Sequence, residues 1–262
     1  MFRKIKLLLI LYCLVGIALY HFQESLIFHP SAKPLKSVHP VYQELTITVN
    51  QKESISILRF VPESVSKGLI IFFYPNHHRA EYYSQRSSFF TQRGFEVWIP
   101  DYPGFGNSLG NLTEQSLYKW ADNVFKLAAS QYTSDSILLY GQSFGSTMAS
   151  YLGSYNASLR AVILESPYYS LEAQLKKYAA IYPVAQMSSF EFPVWRFLDE
   201  SRCPVRIYYG KRDEIVSAAD IRRLNKHLKS GDVFLKIESA THLRIHQDSA
   251  WINSMDEFLK GY

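Results

Sequence analysis

Only two of the 262 residues are cysteine, Cys13 and Cys203. Cys13 lies inside an N-terminal apolar run, so no disulfide can form within the rest of the chain. A disulfide framework and a cysteine-based metal site are both excluded. Charge is also sparse: 19% of residues are Asp, Glu, Lys or Arg, a little below the usual quarter. No low-complexity tract argues for disorder. No Lys/Arg run is interleaved with aromatics, so a net charge of +5 reads as a solvated basic surface rather than a nucleic-acid site. What remains is a hydrophobic content of 47% and a length suited to one large α/β domain.

The chain opens on a basic stretch, Met1-Phe2-Arg3-Lys4-Ile5-Lys6, followed by an uninterrupted apolar run from Leu7 to Tyr20. The run is short for a comfortable span of about 20 residues, though Ile5 and Phe22 extend it. Ala18-Leu19-Tyr20 is not a small-x-small cleavage site, and Tyr12 before Cys13 does not suit a lipoprotein site. The expectation is an uncleaved signal anchor over residues 1–23. The basic residues before the span place its N-terminus in the cytoplasm. The rest of the chain then faces the periplasm, a lumen or the outside. Residues 24–40, with His29-Pro30-Ser31-Ala32-Lys33-Pro34, read as a linker.

From residue 41 the chain alternates strands and helices. Residues 45–49 and 55–60 alternate apolar and polar positions, as a hairpin does. Gly68 to Tyr74 and Phe95 to Pro100 are apolar runs of the kind buried on both sheet faces. Arg79 to Arg93 reads as a helix ended by Gly94. Leu117, Trp120, Ala121, Val124, Phe125 and Ala128 fall on one helical face. Further strands are expected at 136–140, 160–164, 205–209 and 233–237. Helices are expected around Ile221–Leu228 and Trp251–Leu259. This pattern implies a mostly parallel central sheet with helices on both faces. An insert over about 166–202, rich in Tyr, Phe and Pro, reads as a small cap of one or two helices after the sixth strand.

The stretch Ile137-Leu138-Leu139-Tyr140-Gly141-Gln142-Ser143-Phe144-Gly145 has the layout of a strand, a sharp turn and a helix. Such a Gly-x-Ser-x-Gly turn holds a serine hydroxyl exposed above a sheet, as a nucleophile. A serine needs a base to take its proton, and the base needs a carboxylate to orient it. Asp213 follows the strand 205–209, with Glu214 and Glu165 as rival acids. His242 follows the strand 233–237. The order serine, acid, histidine is that of α/β-hydrolases. Backbone N–H donors for an oxyanion are expected from Phe144 and from the loop Tyr74-Pro75-Asn76-His77-His78. Pro75 has no N–H, so Asn76 is the candidate there, with His77 next. A metal pair of His242 and His246 lacks an obvious third ligand, so neither a metal nor a cofactor is expected. Asn111-Leu112-Thr113 and Asn156-Ala157-Ser158 are glycosylation sequons, relevant only to a lumenal domain.

From about Glu24 onward the sequence resembles the α/β-hydrolase superfamily, in particular membrane-anchored serine hydrolases of the ABHD type. The resemblance is carried by Ser25-Leu26-Ile27-Phe28-His29-Pro30, by Asp101-Tyr102-Pro103-Gly104-Phe105-Gly106-Asn107-Ser108-Leu109-Gly110, by the Ser143 turn, and by Asp213 and His242. Where relatives have His-Gly-Asn, this chain has Tyr74-Pro75-Asn76. The resemblance implies an α/β-hydrolase catalytic domain over 41–262 that needs no cofactor. Such relatives are esterases, lipases and acyl-protein or acyl-thioester hydrolases, so the resemblance implies an ester or thioester substrate. The aromatic insert and the membrane tether point to a lipophilic acyl group, on a small molecule or a lipid. A serine peptidase on the same fold and a catalytically inactive, hydrolase-like binding protein are the alternatives.

Overall fold

The computed structural model describes residues 2–31 and 40–261. The first helix, α1 (Phe2–Ile27), runs past the anchor boundary expected at residue 23. The segment after it is not a free linker. Phe28 is buried at 2% exposure, and His29–Pro30 pair in parallel with His77–His78. An aromatic side chain at Phe28 gains more by entering the core than by standing in water. The remainder of the expected linker, residues 32–39, lies outside the described residues.

Eight strands form one sheet: β1 (Gln43–Thr48), β2 (Ser54–Phe60), β3 (Leu69–Phe73), β4 (Glu96–Pro100), β5 (Ile137–Gln142), β6 (Ala161–Glu165), β7 (Val205–Gly210) and β8 (Val233–Ile237). Their spatial order is β8-β7-β6-β5-β3-β4-β2-β1. β1 pairs antiparallel with β2, and β2 antiparallel with β4. All other pairings are parallel. Every residue of β3, β4, β5 and β6 is buried, which is why these strands read as continuous apolar runs. The chain leaves β3 for β4 on one side and returns to β5 on the other. That reversal opens a crevice at the C-terminal ends of β3 and β5, where ligands bind in open α/β sheets.

The expected helix over 79–93 is two short pieces. Ala80–Arg86 winds as a 3-10 helix, and α2 covers Ser87–Thr91. Its first turn is pinned from outside: Ala80 N–H donates to Asp101 Oδ1 at 2.7 Å and Tyr83 stacks on Tyr74. Apolar spacing over two turns does not distinguish the tighter winding from an α-helix. α3 (Glu114–Ala129) buries Leu117, Trp120, Ala121, Val124, Phe125 and Ala128. It starts at a capping box in which Thr113 and Ser116 satisfy each other's backbone N–H groups. A cap of this kind contributes about 1 kcal/mol. α4 (Gly145–Tyr155) follows the serine turn.

Between β6 and β7 lie three helices rather than one or two: α5 (Leu171–Tyr178), α6 (Val184–Met187) and α7 (Val194–Glu200). Pro183 and Pro193 start the second and third. The segment is not all cap. α7 packs on α4, and Phe192, Val194 and Leu198 are in the core. α5 and α6 are more exposed, burying only Leu171, Gln174 and Val184. α8 (Ala218–Leu224) and α9 (Ser249–Lys260) complete the chain.

Candidate active site

The turn after β5 holds Ser143 at φ 51°, a left-handed conformation costly for a residue with a side chain. Close approach dictates its two glycines. A Cβ on Gly141 would lie 2.4 Å from the Gly145 carbonyl oxygen, and one on Gly145 would lie 1.9 Å from that of Phe73. The start of α4 is therefore pressed directly against the ends of β5 and β3. The strained turn is held from both sides. Ser143 N–H donates to the Glu165 carbonyl at 2.9 Å, and the Ser143 carbonyl accepts from Ser146 N–H at 3.0 Å.

Sequence positions far apart meet at this turn. His242, 4% exposed, places Nε2 at 2.9 Å from Ser143 Oγ. Its Nδ1 lies 2.8 Å from Asp213 Oδ2 and 3.0 Å from Oδ1. Asp213 Oδ1 also accepts from Ile215 N–H at 2.9 Å and Val216 N–H at 2.7 Å. Burial alone would raise the Asp213 carboxyl. The His242 hydrogen bond and charge, with the Val216 and Ile215 amides, outweigh it and hold the group below its ordinary value. Asp213 is thus an anion aimed at the imidazole. An imidazole so oriented can accept a proton at Nε2 while its charged form is stabilised at Nδ1.

The rival acids are occupied elsewhere. Glu214 Oε2 accepts the backbone N–H of His242 at 3.3 Å, so it fixes the histidine loop rather than the ring. Glu165 lies beneath the turn with no exposed side-chain surface. It accepts from Arg86 at 2.8 Å, from Gln142 at 2.9 Å and, at very short range, from Tyr140. Gln142 and Glu165 are register partners on β5 and β6, which brings their side chains together. Burial would raise the Glu165 carboxyl, but Arg86 first, then His246 and Tyr140, push it down to about 2. Arg86 also reaches the Leu243 carbonyl at 3.4 Å. The pair therefore links the strand under Ser143 to the loop carrying His242. Arg86 was not legible as part of the site: it precedes Glu165 by 79 residues, and no motif marks it.

His246 Nδ1 lies 3.4 Å from Glu165 Oε1, turned to this ion pair. Among the described residues no group of three His, Cys, Asp or Glu side chains is arranged to hold a metal ion.

Of the two oxyanion candidates, Phe144 stands at the N-terminal cap of α4, where the helix field favours a negative charge. Asn76, in the loop after β3, is half-buried. Its side-chain amide donates to the Ile27 carbonyl, and its own carbonyl accepts from His29 N–H at 3.0 Å. The loop with Pro75 is firmly held. Tyr102 Oη donates to the Tyr74 carbonyl at 2.6 Å, and Tyr74 Oη donates to Asp101 Oδ1 at 2.8 Å. Tyr74 thereby ties this loop to the segment Asp101–Gly110, whose Ser108 Oγ returns to the Asp101 carbonyl at 2.8 Å. His77 is pushed down to about 4, by burial first and then by His78, His29 and His242, so it is neutral at neutral pH.

Known proteins share this architecture. An esterase from Pyrococcus furiosus, Pf2001, superposes with a TM-score of 0.71 at 22% identity, covering 89% of this chain and 99% of the esterase. The alpha/beta hydrolase domain-containing protein aho-3 of Caenorhabditis elegans is 25% identical over 190 residues, which is 70% of this chain. The chain matches 56% of the length of that relative. A Saccharomyces cerevisiae protein described as an uncharacterized membrane protein, YNL320W, is 26% identical over 223 residues, 79% of this chain and 77% of its own length. In agreement with that description, α1 is long and apolar enough to cross a membrane, with a mean hydropathy of 2.1 over an 18-residue stretch. The family Hydrolase_4, described as serine aminopeptidase, S33, matches residues 65–199. That is just over half of the 262 residues and includes β3 to β6 with the serine turn, so the chain belongs to the Hydrolase_4 family of α/β-hydrolases.

Proposed function

We propose that this hydrolase is a membrane-tethered serine esterase or thioesterase acting on a lipophilic acyl group. The observation that carries the reading is the continuous bond chain from Ser143 Oγ through His242 to Asp213, at 2.9 Å and 2.8 Å. His242 Nε2 takes the Ser143 proton as Oγ attacks the acyl carbonyl carbon. Asp213 stabilises the imidazolium so formed. The amides of Phe144 and Asn76 stabilise the oxyanion. The tetrahedral intermediate collapses, and His242 gives its proton to the departing alcohol or thiol. Water, deprotonated by His242, then attacks the acyl-enzyme and releases the acid and Ser143. The chemistry requires no cofactor. Residues 1–23 are the core of the anchor, with a cytoplasmic N-terminus. Residues 41–262 are the catalytic domain, beyond the membrane in a periplasm, lumen or the outside, and 166–202 includes the cap.

Labelling with a fluorophosphonate tests this directly. The wild-type protein is labelled and Ser143→Ala is not. Absence of labelling in the folded wild-type protein would refute the nucleophile. The description of the family as a serine aminopeptidase supports a second reading, amide cleavage on the same site. Comparing a p-nitrophenyl ester with the p-nitroanilide of the same acyl group separates the two: a faster anilide overturns the esterase reading.

A further inference from the structure

The outward part of the cap does not stand over the sheet alone; it lies along α1. The segment from Tyr178 to Phe190 contains no charged residue. At one end it meets the middle of α1. Tyr12 and Tyr182 stack with ring centroids 4.5 Å apart. Tyr12 Oη donates to the Ile181 carbonyl at 3.0 Å, and Tyr182 Oη donates to the Tyr12 carbonyl at 3.1 Å. Gly16 makes room for this contact: a Cβ there would lie 3.1 Å from the Tyr182 ring. At the other end Gln23 exchanges hydrogen bonds with Ser189, at 2.7 Å to its N–H and 3.2 Å to its hydroxyl. The two clasps are eleven residues apart on the helix, about 16 Å at 1.5 Å per residue.

An apolar groove lies along the C-terminal part of α1, from Leu19 past the Gln23 clasp to Ile27. Leu19 and Leu26 of α1 form one wall; Leu175, Ala179, Val184 and Met187 form the other. Its space, including the open mouth, is about 470 Å³. Ile27 also lines it. The next residue, Phe28, places its ring 5.2 Å from Phe144 and 5.5 Å from Phe190. Phe144 directly follows Ser143, and Asn76 is bonded to the Ile27 carbonyl.

The surroundings identify the occupant. α1 has 26 residues, about 39 Å of helix, against a hydrocarbon thickness of about 30 Å. If α1 crosses the membrane, Tyr12 lies within it, and the cap tip clasped to it dips into the bilayer from a catalytic domain that otherwise stands beyond it. The tip fits that position: Tyr178 and Ile181 are each 74% exposed, and after Lys177, which pairs with Asp220 at 2.9 Å, the next charge is Glu191. An apolar groove opening beside a membrane-spanning helix faces lipid chains rather than water.

We propose that this groove holds the long acyl chain of a bilayer-resident ester, entering sideways from the membrane and bringing its carbonyl past Phe28 and Phe190 to Ser143. The proposal rests on Ser143 as the nucleophile and names the substrate class of that site. α1 is then a wall of the substrate site as well as a tether.

The test uses the full chain in phosphatidylcholine vesicles, with p-nitrophenyl palmitate and p-nitrophenyl butyrate as probes. Fluorophosphonate labelling of the same samples reports the competence of Ser143. Leu19→Trp and Ala179→Trp fill the groove. The expected result is that the palmitate-to-butyrate ratio of kcat/KM falls at least tenfold in each. If a tryptophan variant is not labelled, Leu19→Phe and Val184→Phe provide the same reading. An unchanged ratio in labelled variants overturns the proposal. So does an altered oligomeric state in detergent with chain-length preference intact, which would make the groove a contact between copies. A wild-type protein that is labelled yet hydrolyses only butyrate defeats the acyl groove and leaves the nucleophile standing. A wild-type protein that is not labelled defeats both.

Discussion

Replacing Glu165 by Gln removes one charge from beneath the Ser143 turn and leaves Arg86 behind. The Glu165 carboxyl lies at about 2 against an ordinary 4.5. At 1.36 kcal/mol per pH unit this corresponds to about 3 kcal/mol of stability at neutral pH. The sign follows from the direction: a depressed carboxyl contributes fully above about pH 4.5 and loses its contribution as pH falls through about 2. Breaking a buried pair by removing one partner costs about 3–5 kcal/mol. The Arg86 side chain is 12% exposed, so water compensates it little. In a chain of this size each kcal/mol moves the melting temperature by about 2–4 °C. Glu165→Gln is therefore expected to melt about 10 °C below wild type at pH 7.5, followed by differential scanning fluorimetry of the full chain in detergent. The gap should narrow steadily below about pH 4.5. The double variant Arg86→Met with Glu165→Gln should recover part of the loss, because no charge is then buried alone. A melting temperature within 2 °C of wild type, or a gap unchanged between pH 7.5 and 3.5, would refute the account of the pair.

Other outcomes follow from the same geometry. On the proposed esterase reading, Asp213→Asn should slow ester hydrolysis about 10⁴-fold by losing the anion that orients and stabilises His242. Glu214→Gln should cost less than tenfold, since its bond is to the His242 backbone and glutamine can still accept it. Equal losses in the two would reverse the assignment of the acid. Gly145→Ala should give little folded protein in expression and size-exclusion trials, because its Cβ would sit 1.9 Å from the Phe73 carbonyl oxygen. Normal yield and melting temperature would show that the turn can relax. Tyr74→Phe leaves the buried Asp101 one donor short, a loss of about 1–3 kcal/mol, read as a melting temperature lower by several degrees.

Much was legible in the chain order. Continuous apolar runs marked the strands that are covered on both faces, and the three-to-four spacing from Leu117 to Ala128 marked α3. Ser143, Asp213 and His242 were each singled out because they follow a strand, and in this fold the strand ends converge on one edge of the sheet. These are local signals: a burial pattern along one element, or a turn that only glycine permits. The tertiary structure decided what depends on contacts between distant segments. It turned Glu214 to a backbone N–H and Glu165 to Arg86, choices between adjacent or similar carboxylates that composition cannot make. It divided the insert, sending Phe192 and Leu198 to the core and Tyr178 and Ile181 outward, although both parts carry large aromatic and aliphatic side chains. It carried α1 to Ile27 and seated Phe28 against Phe144, so part of the segment expected as a linker packs beside the Ser143 turn. A sequence states which side chains need burial; only the folded chain settles which surfaces, brought together from far apart, provide it.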